Sequence, residues 1–84
     1  MKSEIKANLI KLEQLEEIAN HAEADFEREP ENKEYEETFD RAYKNEFDMY
    51  IKVSNQIAEF AEIDAKTARA IVHGKREELK KILV

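Results

Sequence analysis

The sequence predicts an all-α fold: a long antiparallel helical hairpin followed by a third, C-terminal helical segment, a three-helix bundle in outline. Three observations predict it. The 84 residues include one Gly and one Pro, so a sheet would lack the residues that build its corners. The abundant residues, Glu, Lys, Ala, Ile and Leu, are mostly good helix formers. Apolar residues recur at steps of three and four, the spacing of one helical face.

The first helix is expected over about 3–28. The Ser3 hydroxyl can cap its first turn, and Glu4 sits beside the positive end of the helix dipole. Ile5, Leu9, Leu12, Leu15, Ala19, Ala22 and Phe26 form one stripe, which Ile10 and Ile18 widen. Pro30 disfavours the helical conformation for Glu29 and ends the helix near Arg28. The second helix is expected over about 33–61, capped by Asn32, with acids in its first turn. Its apolar positions are Tyr35, Phe39, Ala42, Tyr43, Phe47, Tyr50, Val53, Ile57 and Phe60.

A short link between two long amphipathic helices implies a hairpin, and the two stripes suggest its register. Phe26 pairs with Tyr35, Ala22 with Phe39, Ala19 with Ala42, Leu15 with Phe47, Leu12 with Tyr50, Leu9 with Val53 and Ile5 with Ile57. The third helix is expected over about 65–83, capped by Asp64, with a bend or break near Gly74. Its apolar residues, Ala68, Ile71, Val72, Leu79, Ile82 and Leu83, should fold back beside Ile5, Leu9 and Ile57. The whole chain reads as one domain with a thin core, which a dimer would help to cover.

Composition limits the function. The chain has no Cys, which excludes disulfides, thiolate metal sites and a cysteine nucleophile, and suits a cytoplasmic location. No segment resembles a signal peptide or a membrane span. The net charge is −6, unevenly spread. Residues 1–51 hold 7 basic and 15 acidic groups, whereas residues 52–84 hold 7 basic and 5 acidic. The acids crowd the hairpin tip between Glu23 and Asp40, as solvated helix ends do or as a docking tip for a basic partner would.

The catalytic inventory is thin. There is no phosphate-binding Gly-rich loop, no nucleophile elbow and no zinc spacing. Glu17, His21 and Asp25 fall on one helix face but lack the Glu-x-x-His pattern of di-iron bundles. No catalytic, cofactor or metal residue is assigned, and the chain is read as a non-enzyme. The aromatics Tyr35, Phe39, Tyr43 and Phe47 recur every four residues, so the row winds around the helix by about 40° per step. Most of that row reads as core. Tyr35 and Tyr43, with Met49, are the candidate partner surface, for another protein or for a second copy in a homodimer.

The segment from Gln56 to Val72 resembles the helix-turn-helix of lactose-repressor-family transcription regulators. Ala58 stands at the small mid-helix position, Ile63 follows the turn and Asp64 opens the second helix, which Ala68 and Ile71 anchor. The resemblance implies that Ala65, Lys66, Arg69 and Ala70 would face a major groove and Thr67 a phosphate, with Lys75 and Arg76 as nearby cations. Read as packing alone, the segment is the corner between two bundle helices. The leading expectation is a small acidic module that acts by binding another protein. The alternative is a DNA-binding regulator using residues 56–75.

Overall fold

The computed structural model of the chain describes residues 2–83. It holds four helices: α1 (Lys2–Arg28), α2 (Lys33–Ala61), α3 (Ala65–Gly74) and α4 (Arg76–Ile82). α1 begins one residue before the expected cap, so Ser3 lies inside its first turn. Extending an exposed helix end by a residue costs little once the helix exists.

The hairpin link is a tight turn. Glu29 N–H donates to the Asp25 carbonyl at 3.1 Å, and Asn32 N–H to the Glu29 carbonyl at 3.0 Å. The Asn32 side chain then accepts from the N–H groups of Glu34 and Tyr35, at 3.0 and 3.2 Å, and caps α2 as expected.

Between α2 and α3 the chain turns on Glu62, which takes the left-handed conformation (φ 56°, ψ 45°). The N–H groups of Glu62 and Ile63 both donate to the Ala58 carbonyl, closing a Schellman-type helix end. Ile63 and Ala58 pack against the core, which holds a non-glycine residue in this disfavoured region. Glu62→Gly should therefore stabilise the fold by about 0.5–1 kcal/mol, the left-handed cost relieved less the added freedom of the unfolded chain. A urea titration reads this directly, and a lower midpoint would show that the corner carries no strain.

Asp64 accepts the Thr67 N–H at 3.1 Å and caps α3. Hydrogen bonds from the Thr67 side chain and then its backbone hold the Asp64 carboxyl below the usual carboxylate range. The cap is thus complete at neutral pH and is lost as acid protonates it below that range.

The C-terminal segment is two helices rather than one bent helix. The break falls on Lys75 (φ −131°, ψ 39°), and Gly74 keeps a negative φ. α3 runs back along α2, where the Tyr50 hydroxyl donates to the Arg69 carbonyl at 2.9 Å. α4 then turns along α1 towards its N-terminus. Arg76 pairs with Glu16, Lys80 with Glu13 at 3.0 Å, and Leu83 lies beside Lys6 and Leu9. The hydrogen bond that Lys80 donates to the Glu13 carboxylate raises the pKa of its ammonium above the ordinary value.

This routing divides the molecule along its 45 Å length. At the base, all four helices enclose Ile5, Leu9, Leu12, Val53, Ile57, Ala68, Val72, Leu79 and Leu83. Met49, Tyr50, Ile63 and Ile71 pack around that cluster. Two buried polar groups are satisfied there: Asn8 donates to Gln56 at 3.0 Å, and the Ser54 hydroxyl to the Tyr50 carbonyl at 2.7 Å. Beyond Glu16 and Glu46 only α1 and α2 continue, as a two-helix arm. Its core is slight: Ala19, Ala22 and Ala42, with Phe39 packed on them.

The residues expected to face each other fall in shared clusters: Ile5, Leu9 and Leu12 with Tyr50, Val53 and Ile57 at the base, and Ala19 and Ala22 with Ala42 and Phe39 in the arm, where small residues on α1 receive a large ring from α2. The stack at the tip differs. Phe26 stacks on Phe39, centroids 5.8 Å apart, because the long ring of Phe39 reaches over the alanines to meet it. Ile10 and Ile18 do not widen the core. Each is more than half exposed, one residue and about 100° round the helix from a better-placed neighbour.

Candidate interaction surface

Helical geometry decides which aromatics of α2 reach solvent. The inward stripe runs through Ala42, Val53 and Ile57. A four-residue step overshoots a turn by about 40°, so an aromatic row at that spacing leaves the stripe as it proceeds. Tyr35 and Phe39 are half-buried, Tyr43 is 56% exposed and Phe47 is 50% exposed. Phe39 and Tyr43 meet at 6.2 Å, and Phe47 and Tyr50 at 6.4 Å. The result is an aromatic ridge that starts in the core at Phe26 and Phe39 and emerges at Tyr43 and Phe47.

The end of α3 fixes where the ridge becomes uncovered. Tyr50, beside α3, is tied down by its hydrogen bond to Arg69. His73, in the last turn of α3, lines a shallow cavity of about 200 Å³ with Glu16, Tyr43, Glu46, Phe47 and Arg76. Past Gly74 the chain turns away, so among the described residues no helix continues α3 over Tyr43 and Phe47.

The cavity holds two carboxylates, Glu16 and Glu46, beside His73 and Arg76. The Arg76 guanidinium donates to both carboxylate oxygens of Glu16, the second at 3.2 Å, and through Nε to the Val72 carbonyl at 3.1 Å. Burial chiefly, then the charges of Glu16 and Glu23, push the Glu46 carboxyl above its usual range, and Arg76 offsets this only in part.

Of the residues singled out as a partner surface, Tyr43 stands in the open ridge. Tyr35 is half-buried beside the hairpin link, and Met49 packs against the base core, where its spacing from Val53 and Tyr50 puts it. Phe47 is the residue that sequence reasoning misplaced, by pairing it with Leu15. The 40° drift of the row was the signal that would have found it, since it carries Phe47 outward while Glu46 takes the half-buried position.

The residues of the helix-turn-helix-like segment are also dispersed in character. Lys66, Thr67 and Ala70 are exposed along one side of α3, and Arg69 is half-buried. Lys75 is exposed at the α3–α4 break, but Arg76 is turned in to Glu16. The first helix of that segment is the last part of the continuous 29-residue α2. On α1, Glu17, His21 and Asp25 line an open groove with Ile18 and Thr38, and Asp25 is paired with Arg28 at 2.9 Å. Among the described residues no group of three or more acids and histidines is placed to share a metal ion. Also among the described residues, no helix is long and apolar enough to cross a membrane.

Comparison with protein-family models, with curated proteins and with solved structures gives no significant match for this chain.

Proposed function

We infer that the protein is a non-enzymatic interaction module that acts by binding another protein through the arm. One observation carries this reading: Tyr43 and Phe47 stay half exposed on a helix whose other large apolar residues are mostly packed. Aromatic side chains bring large contact area at small cost in conformational freedom, and they dominate many protein interfaces. The arm also projects past the four-helix base, which leaves its faces accessible. The cysteine-free composition fits action in the cytoplasm.

The test is a Tyr43→Ser, Phe47→Ser double variant beside a Lys66→Ala, Arg69→Ala double variant. Substitutions at exposed Tyr43, Phe47 and Lys66 change stability by about 0.5 kcal/mol or less each, and Arg69→Ala at a half-buried position keeps the carbonyl that Tyr50 bonds, so both should remain folded by circular dichroism. The reading expects the first variant to lose the protein partner that wild type retains from an extract of its own source cells, and the second to keep it. Equal retention by both would overturn it.

A second reading, a DNA-binding regulator, is favoured by one specific observation. The left-handed turn at Glu62 and the Asp64 cap present Lys66, Thr67 and Ala70 from the start of α3. Against it stands the cation supply. Phosphate neutralisation drives duplex binding, and Arg76 is already held by Glu16 on a chain of net charge −6. The affinity for duplex should therefore be about 10⁻⁴ M or weaker at physiological salt. A sequence-specific complex that Lys66→Ala abolishes would promote this second reading.

A further inference from the structure

The chain already shows how its acidic α1 receives a helix. α4 docks on α1 through two interleaved pairs of residues. Arg76 and Lys80, four apart, reach Glu16 and Glu13, while Leu79 and Leu83, also four apart, are buried beneath them. The spacing is that of one helical stripe flanked by a cationic edge. A short helix of pattern Arg-x-x-Leu-Lys-x-x-Leu is thus what α1 and its neighbours accept at the base.

One level up, the same ingredients lie uncovered. Apolar floor is provided by Tyr43 and Phe47, four residues and about 6 Å apart along α2, with half-buried Phe39 a further turn along. Acidic edges are provided by Glu46 on α2 and Glu16 on α1, which both line the cavity, and the charge of Glu23 on α1 is felt at Glu46. The Arg76 guanidinium, which lines the cavity with His73, is committed to Glu16. The slot opens where α3 stops and α4 turns away. A helix entering there would stack beyond Gly74 and extend the α3 layer along the arm.

We propose that the exposed Tyr43–Phe47 face of the arm binds a cationic amphipathic helix of a partner protein, one that repeats the α4 pattern of paired leucines edged by Arg or Lys. The proposal rests on the reading of the arm as a protein-binding surface and adds the chemistry of the partner. Charge selects this occupant over a second copy of the chain. An arm-to-arm contact would set two acidic arms face to face, residues 17–46 holding 4 basic against 11 acidic groups in each copy. It also selects against nucleic acid, which the same carboxylates repel. Burial chiefly, then the charges of Glu16 and Glu23, raise the proton affinity of Glu46, and Arg76 offsets this only in part.

The experiment uses the full chain and three synthetic helical peptides of about 18 residues, long enough to be helical when bound. All share one leucine stripe, and their polar faces carry Lys and Arg, Gln, or Glu. Binding is measured by calorimetry at physiological salt. The cationic peptide should bind wild type, and Tyr43→Ser, Phe47→Ser and Glu46→Gln should each weaken it about fivefold or more. A control variant, Glu27→Gln with Glu31→Gln and Glu37→Gln, removes three exposed acids at the tip and should change affinity less than about twofold. Glu46→Gln should also raise the thermal midpoint at neutral pH while weakening the peptide, a combination that damage to the fold would not give. Three outcomes overturn the proposal. If the tip variant loses as much affinity as Glu46→Gln and Phe47→Ser loses none, the attraction is general charge. If the Gln or Glu peptide binds as well, and Phe47→Ser abolishes that binding, the arm is still a protein-binding face but the cationic class is wrong. If sedimentation shows a dimer that Phe47→Ser dissolves, the occupant is a second copy.

Discussion

Leu12→Ala should lower the unfolding free energy by about 2–5 kcal/mol, the range for truncating a buried leucine. Leu12 is fully buried at the centre of the base, in the cluster that joins α1 to Val53 and Ile57 of α2 and to α3 and α4. The residues round it belong to helices held at both ends by the hairpin link and by the ion pairs of α4, so they cannot collapse freely into the void. A domain of this size has only about 5–10 kcal/mol of stability in total, so the variant should sit near its unfolding threshold at 37 °C. Chemical denaturation followed by circular dichroism measures it. A loss under about 1 kcal/mol would mean that Leu12 is not at the centre of the core.

Ala68→Leu is expected to be the other large loss, about 1–3 kcal/mol, through overpacking rather than a cavity. Ala68 is fully buried on the face of α3 that meets α2. Its small side chain lets the two helices approach closely enough for the Tyr50 hydroxyl to reach the Arg69 carbonyl. A leucine would force α3 outward and stretch that bond. The same denaturation assay applies, with Tyr50→Phe as the companion variant. If Ala68→Leu is as stable as wild type, α3 is not docked as described.

The hairpin was legible in the sequence because two independent stripes had to agree. Leu12, Leu9 and Ile5 match Tyr50, Val53 and Ile57 in reverse order only if the helices are antiparallel, and Pro30 with Asn32 marks the link. The corner at Glu62 was legible from the Asp64 cap that follows it. The division of the C-terminal segment was only half legible. Ala68, Val72, Leu79 and Leu83 would share one stripe in a continuous helix, so their spacing gives no sign of the turn at Lys75. Gly74, one residue before it, marks the break, and the ion pairs of Arg76 and Lys80 with α1 fix the direction that α4 then takes, which no local pattern announces. The candidate surface depends on it. With α3 and α4 continuous, Tyr43 and Phe47 would be candidates for the core. With the turn in place they are open, and Phe47 moves from the expected core to the surface.

The most direct measurement of the central claim, that the protein acts through the Tyr43–Phe47 face, is site-specific photo-crosslinking in its source cells. A photoreactive phenylalanine analogue is placed at position 43, 47, 66 or 70 in turn, all four being exposed. The account predicts adducts to a discrete protein partner at 43 and 47, and none at 66 and 70. Adducts at 66 and 70 that contain nucleic acid, with none at 43 and 47, would contradict it.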